Sequence, residues 1–345
     1  MNYKRIRITL FFICFFSIFQ SDSWSIDLIV ANYNVENLFD MSSDGTEYDE
    51  YVPNSWHGWS KKMLRIKIQN IGKVLLDMDA DVVALQEIES RNVLLMLVQY
   101  LKEQHLDYPY IDIADQSRTS VKCAMISKFP IINREEIQPP VYGARNILRI
   151  TLDIGGHPFI LFINHWKSKN KAESFRIAYA KTLKQQIDRV SDKDDFIIMG
   201  DLNSNYDEYV TFKKNRKLND SNEITGINHI LKTVKEGYGL VDEDLLIKQP
   251  SNEYLYNLWL EIPKKQRWSH LFFQQKDSLD HIIISKSLYD NNGMKYSDNS
   301  FYRFMPDYLF HQRRIYRWQL GKNGKHIGEG YSDHLPIAAK FSTLR

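Results

Sequence analysis

Apolar runs rich in Val, Ile, Leu and Phe recur at residues 28–33, 82–85, 121–126, 147–154, 159–163, 196–199, 279–284 and 337–341, and each has the length of a strand. Apolar positions spaced by three and four predict helices over about 61–76 (Leu64, Ile68, Ile71, Leu75), 91–104 and 173–190. The turn formers Gly155 and Gly156 predict a direct hairpin between two of the runs, whereas helices join others. Strands with both kinds of connection predict sheets stacked face to face with helices outside, rather than one doubly wound parallel sheet. No repeat and no Pro/Gly/Ser-rich linker interrupts the chain, so one domain is expected over residues 26–345.

Residues 1–25 read differently. Lys4, Arg5 and Arg7 precede an apolar run over residues 8–19, too short to span a bilayer but suited to the core of a secretory signal. Ser21-Asp22-Ser23 or Ser23-Trp24-Ser25 supplies small residues for cleavage, and an uncleaved anchor is the alternative. A bacterial periplasmic or secreted protein is therefore expected. Phe12-Ile13 before Cys14 lacks the small residue of a lipoprotein site. Once the signal leaves, Cys123 alone remains and no internal disulfide can form.

Composition narrows the class. Hydrophobic residues at 43% and charged residues at 26% exclude a disordered tail protein, a collagen-like fibre and a polytopic membrane protein. The formal charge is +2, and removing residues 1–25 takes Lys4, Arg5, Arg7 and Asp22, which leaves a neutral chain. Whole-chain charge thus offers no broad attraction to phosphate, although a local patch would suffice.

Candidate chemistry gathers where the apolar runs stop: Tyr33-Asn34-Val35-Glu36, Leu85-Gln86-Glu87, Ile163-Asn164-His165, Gly200-Asp201-Leu202-Asn203, Leu279-Asp280-His281 and Ser332-Asp333-His334. Singly, each has a bland reading as a turn or a core histidine. Together they supply carboxylate and amide oxygens suited to Mg²⁺, with Mn²⁺ or Ca²⁺ as alternatives, while the thiolates of a structural zinc site are missing. A hard cation suits phosphate, an Asp can activate an in-line water, and a protonated His can donate to a phosphate oxygen. No Gly-rich nucleotide loop or Ser-His-Asp signature competes.

The segments 33–40 (Tyr-Asn-Val-Glu-Asn-Leu-Phe-Asp), 85–87, 164–169 (Asn-His-Trp-Lys-Ser-Lys), 200–203 (Gly-Asp-Leu-Asn), 278–281 and 332–336 (Ser-Asp-His-Leu-Pro) resemble, in order, the endonuclease/exonuclease/phosphatase superfamily. That superfamily includes pancreatic-type DNase, abasic-site endonucleases, neutral sphingomyelinases and inositol-polyphosphate phosphatases. The resemblance implies an α+β fold, a four-layer α/β/β/α sandwich with the site at one edge of two sheets. It implies Glu87 as principal metal ligand, with Asn34, Asp333 and Glu36 beside it. It implies Asp201 as the group that orients or deprotonates water, Asn203 as a holder of the scissile phosphate, and His334 as a phosphate contact oriented by Asp280. His165 matches a second histidine, placed to help the leaving oxygen. Asp201 and His334 are expected as exposed cleft residues. Arg118 to Ala124 lacks an Asp that many relatives carry, and Ser278 stands where many have Arg, so substrate preference is open.

Lys167 and Lys169 follow His165 directly and are expected to meet substrate phosphate. Tyr302, Arg303 and Phe304, with Arg314, Tyr316, Arg317 and Trp318, interleave aromatics and Arg either as a nucleic-acid stacking surface or as an insertion packing its own rings. The expected activity is an exported, divalent-metal-dependent endonuclease acting on DNA or RNA, monomeric and without an obligate protein partner. A lipid-headgroup phosphodiesterase, suggested by the aromatic-rich segment 254–259, and a non-catalytic binding protein are the alternatives.

Overall fold

The computed structural model describes residues 25–290 and 292–343, so the expected signal segment lies almost wholly outside the described residues. The predicted runs become β1 (Asp27–Leu38), β2 (Val82–Ile88), β4 (Lys122–Ser127), β6 (Ile147–Ile154), β7 (His157–His165), β8 (Asp195–Asp201) and the strands Asp280–Ile284 and Ile337–Thr343. The strands not predicted include β3 (Tyr110–Ile113) and β5 (Ile131–Ile137). Both are edge strands, and β5 exposes Asn133 and Glu135, so neither needs an apolar run. The helices are α1 (Lys61–Met78), α2 (Arg91–Glu103) and α3 (Glu173–Ile187). Ser60 and Ser90 begin the first two, their hydroxyls accepting from the Met63 and Val93 amides.

One sheet runs Met294–Tyr296, Ile337–Thr343, β1, β2, β4, β3; the other runs Tyr256–Asn257, Asp280–Ile284, β8, β7, β6, β5. β1 and β2 are parallel across α1, β7 and β8 are parallel across α3, and β6 turns directly into β7 at Gly155 and Gly156. Three apolar layers result. Ala31, Tyr33, Val83 and Leu85 pack beneath α1 and α2; Val30, Ala84, Leu161, Ile163, Met199 and Ile282 fill the space between the sheets; Phe162 and Ile198 meet Tyr179 and Leu183 of α3. The expected α/β/β/α sandwich is the observed one. Because the strands are buried on both faces, they read as continuous apolar runs rather than alternating ones.

In segment 254–259, Leu255, Tyr256, Leu258 and Trp259 are buried, so the stretch that suggested a lipid substrate serves the core. The aromatic insertion divides. Trp318 is buried beside Trp59 and His326, and Arg303 lies over the Trp268 ring, whereas Arg314 and Arg317 remain exposed.

Candidate active site

Strand alternation accounts for the floor of the site. In β1 the residues facing the second sheet are Leu28 and Val30, then Asn32 and Asn34; in β2 they are Val82 and Ala84, then Gln86. The opposing strands do the same: Leu161 and Ile163 lead to His165, Ile197 and Met199 to Asp201, and, running the other way, Ile284 and Ile282 to Asp280. The inter-sheet space changes from apolar to polar at one end of every central strand. Glu87 breaks the alternation. Its φ is +66°, and the β2 pairings shift register on both sides of it, so a bulge turns its carboxylate toward Asn34.

Asn34 Nδ2 donates at 3.1 Å to both Glu87 Oε1 and Asp201 Oδ2, and its Oδ1 accepts the Glu36 amide at 3.1 Å. This network fixes the amide orientation with the nitrogen toward the carboxylates. Asn34 thus bridges the two acids through its amide nitrogen. Glu36, expected as a metal ligand, is engaged elsewhere. Arg317 binds its Oε1 through two guanidinium nitrogens, and the Trp318 amide donates to Oε2 at 3.1 Å. With both oxygens committed, Glu36 is an anchor for the 310–331 segment. Burial, with Asp333 adding to it, pushes its carboxyl up to about 7 against the pull of Arg317.

Asp201 is 2% exposed and His334 6%, contrary to the expected open cleft. The cover comes from residues 268–277 and 310–331: His270 pairs its backbone with His334, and Arg317 lies 3.5 Å from Asp333 Oδ2. His334 Nδ1 donates to Asp280 Oδ2 at 2.7 Å, as expected, and Ser269 Oγ donates to the same oxygen at 2.6 Å. Asp280 Oδ1 accepts from Asn32 at 3.2 Å, and Asn32 in turn accepts from Gln86 at 2.8 Å. His334 Nε2 lies 3.9 Å from Asp201 Oδ2 and from Asp333 Oδ1. Burial alone would lower the His334 pKa, but Asp280, Asp201 and Asp333 hold it well above 6.5. Burial pushes Asp201 up to about 7, with His334 opposing and Asp280 adding to the rise.

His165 Nε2 stands 3.5 Å from Asp201 Oδ2 and 3.7 Å from Glu87 Oε1, while its Nδ1 is buried without a partner among the described residues. Burial first, then Arg145, His334 and Lys167, hold it well below 6.5 and hence neutral. A neutral imidazole can position the two acids and is a poor proton donor to a leaving oxygen. Asn203, at φ +48°, gives its backbone amide to Asp201 Oδ1 at 2.9 Å and one Nδ2 proton to the Trp166 carbonyl at 3.1 Å, its other proton having no acceptor among the described residues. Gly200 allows this close packing: at φ +131°, a Cβ would fall 2.0 Å from the Asn164 carbonyl oxygen.

The two lysines do not face the acids. Lys167 Nζ donates to the Gly143 carbonyl at 2.6 Å, and Lys169 is paired with Glu208 at 2.9 Å. Other cations near the site are Arg317, Arg145, whose Nε donates to the His165 carbonyl, and Lys67, buried and bonded to the Tyr331 carbonyl at 3.0 Å. Arg145 and Lys67 carried no strand-end signal in the sequence. Asn32 and Gln86 did, since they share faces with Asn34 and the apolar positions before them.

The candidate donors for a divalent cation are the carboxylates of Glu87 and Asp333, which repel one another. Glu87 commits only Oε1 among the described residues, and Asp333 has its cationic neighbours at 3.5 to 3.9 Å. Carboxylate oxygens of this kind fit a hard cation. His270, Asp333 and His334 also bring one ligand atom each within 4.8 Å of one another. There, however, His334 is a cation held by Asp280, which disfavours metal at its Nε2.

A pattern described as Endonuclease/Exonuclease/phosphatase family matches residues 29–243. Among solved structures, the chain is similar to D. rerio TDP2 complexed with single strand DNA product, at 16% identity and TM-score 0.55, covering 91% of this chain and 98% of that one. It is also similar to an endonuclease/exonuclease/phosphatase family protein from Leptotrichia buccalis C-1013-b, at 16% identity and TM-score 0.53, covering 91% and 99%. A third, ANGEL2, a 2′,3′-cyclic phosphatase, has 17% identity and TM-score 0.52, covering 92% and 95%. No curated protein sequence matches. At these identities the structural likeness is one of fold.

Proposed function

We propose, from the premise that the chain belongs to the endonuclease/exonuclease/phosphatase family and is a phosphoester hydrolase, that it hydrolyses phosphodiesters of nucleic acid by in-line attack of water. The observation that carries this reading is geometric: buried Asp201 lies 3.9 Å from Nε2 of His334, whose Nδ1 is held by Asp280 at 2.7 Å. Asp201 accepts the proton of the attacking water as the bond from phosphorus to the leaving oxygen breaks, the leaving oxygen takes its proton from solvent, and His334 donates a hydrogen bond through Nε2 to a phosphate oxygen. His165 and Asn34 hold Asp201 and Glu87 in place. Glu87 and Asp333 would hold a divalent cation, whose chemistry is to offset charge on the phosphoryl oxygens. Similarity in fold to a protein that binds a single strand DNA product supports nucleic acid as the substrate class. The N-terminal basic and apolar pattern supports export, and fractionation of cells expressing the chain with and without residues 1–25 tests that part.

The test is turnover of bis(p-nitrophenyl) phosphate and of labelled DNA and RNA with Mg²⁺ or Mn²⁺, against an Asp201→Ala control. Activity in the first protein and none in the second is expected; equal rates in both refute the reading.

A further inference from the structure

A groove of about 500 Å³ opens beside the site between two hairpins, lined by Phe272, Phe273 and Lys276 on one side and by Arg313, Arg314 and Arg317 on the other. The first hairpin pairs His270–Phe272 with Gln275–Asp277, and the second pairs Phe310–His311 with Arg314–Ile315. Both turn through two residues at positive φ without a glycine: Phe273 and Gln274 at +42° and +71°, Gln312 and Arg313 at +50° and +64°. A bulky residue such as Phe in that region carries backbone strain, and strain of this kind clusters at binding surfaces.

The rings form a path out of the site. His334 lies 4.7 Å from His270 between ring centroids, His270 stacks at 18° on Phe272, and Phe272 meets Phe273 edge to face at 4.5 Å. Phe272 is 54% exposed and Phe273 is 89% exposed, so the apolar rings face water at the tip. Opposite them stand guanidinium groups, and Arg317 reaches from the groove to Asp333.

We infer that this groove binds the unpaired strand flanking the scissile phosphate, Phe272 and Phe273 stacking on bases while Arg313 and Arg314 take backbone phosphates. The enzyme then prefers single-stranded nucleic acid, because rings at a hairpin tip can stack only on bases whose faces are free, which a duplex interior does not offer. This deepens the nucleic-acid reading above and rests on it for the identity of the strand. A membrane surface is the less favoured occupant: the tip continues into Gln274, Gln275, Lys276 and Gln312 rather than into a contiguous apolar patch.

The test separates binding from turnover. Fluorescence anisotropy in EDTA compares the full chain on a labelled single-stranded oligonucleotide and on a blunt duplex of the same sequence, with phosphatidylcholine vesicles as a third probe. Single-strand affinity is expected to exceed duplex affinity by about tenfold or more. Phe272→Ala with Phe273→Ala should weaken single-strand binding by at least about 5-fold, the least that one lost base stack costs. Arg313→Ala with Arg314→Ala should lower the slope of log affinity against log salt by roughly 0.7 for each phosphate no longer neutralised. Each pair should melt within about 2 °C of the wild type, because the substituted side chains are exposed. Equal affinity for single strand and duplex, unchanged binding by folded variants, or Phe-dependent capture of vesicles without oligonucleotide binding overturns the inference. Strand binding through the groove with no turnover of bis(p-nitrophenyl) phosphate under any divalent cation would instead sink the hydrolase reading and leave the groove assigned.

Discussion

Asp280→Asn preserves shape at the centre of the site and removes one charge. The Asp280 carboxylate is fully buried and accepts from His334, Ser269 and Asn32. Asn32 cannot turn its own oxygen toward a new amide, because that oxygen already accepts from Gln86 at 2.8 Å. An Asn at this position therefore faces a donor with a donor for as long as His334 keeps its proton. A hydrogen bond to a charged group contributes about 1.5–3 kcal/mol, and breaking a buried ion pair from one side costs about 3–5 kcal/mol if the remaining partner stays charged. His334 escapes that cost by losing its proton. With Asp280 neutral, burial dominates and the imidazole pKa falls from well above 6.5 toward or below it. Because the raised folded pKa stabilises the protonated native state, the stability lost in the variant is greatest at mildly acidic pH. It shrinks as pH rises through the wild-type His334 pKa. The assay is the pH dependence of kcat on bis(p-nitrophenyl) phosphate over about pH 5 to 9, beside urea unfolding at each pH. The alkaline limb should move to lower pH, and the rate near neutrality should fall by roughly 10- to 100-fold. An alkaline limb unmoved in a folded variant would refute the role of Asp280 as the residue that keeps His334 charged.

Glu87→Gln should weaken divalent-cation binding in calorimetry by more than about 100-fold, exceeding what outer-shell partners cost, whereas Glu36→Gln should keep cation affinity and lower stability. Loss of cation binding in Glu36→Gln would restore Glu36 as a ligand. Gly200→Ala should destabilise by more than about 3 kcal/mol in urea, since its Cβ has no room beside the Asn164 carbonyl; a change under about 1 kcal/mol contradicts that. Asp195 is buried far from the site, its Oδ1 has no partner among the described residues, and burial pushes its carboxyl up to about 7. The folded state thus holds this proton more tightly than the unfolded one, so wild-type stability falls as pH rises from about 4 to about 7. Asp195→Asn should escape that fall and gain up to about 4 kcal/mol over wild type at pH 8, with little gain at pH 4; equal gains at both would refute the titration.

The strand ends were legible because one rule serves both the core and the site. Val30 and Ala84 between the sheets lead to Asn34 and Gln86 by the same alternation that buries them, and Met199 leads to Asp201. What the pattern could not give is whatever depends on a broken alternation or on distant contact. Glu87 reaches the site only through its bulge, and Glu36, on strand β1 with Asn34, is drawn away by Arg317 from 281 residues along the chain. Lys169 sits four residues beyond His165 yet is captured by Glu208. Sequence proximity suggested a phosphate contact there, while the partner brought in by the fold decides the outcome. Burial of Asp201 and His334 was equally hidden, since their cover comes from residues 268–277 and 310–331 rather than from neighbours in sequence.

Net charge illustrates why a sum says little about a site. The chain outside residues 1–25 is formally neutral, yet its charges are separated into a floor and a rim. The floor holds Glu87, Asp201, Asp280 and Asp333, of which Asp280 is offset by His334. Arg317 is shared between Glu36 and Asp333. A phosphodiester approaching this floor with nothing between it and the acids meets like charge in a poorly hydrated space, where repulsion is weakly screened. Burial and mutual repulsion already push Glu87 and Asp201 toward protonation, which is the same cost seen from the protein side. The rim carries Lys276, Arg313 and Arg314 with no such acids among the groove residues. Attraction for a polyanion and acceptance of its scissile phosphate therefore belong to different residues. Salt should weaken the first through the rim cations, while the second depends on a cation at Glu87 and Asp333.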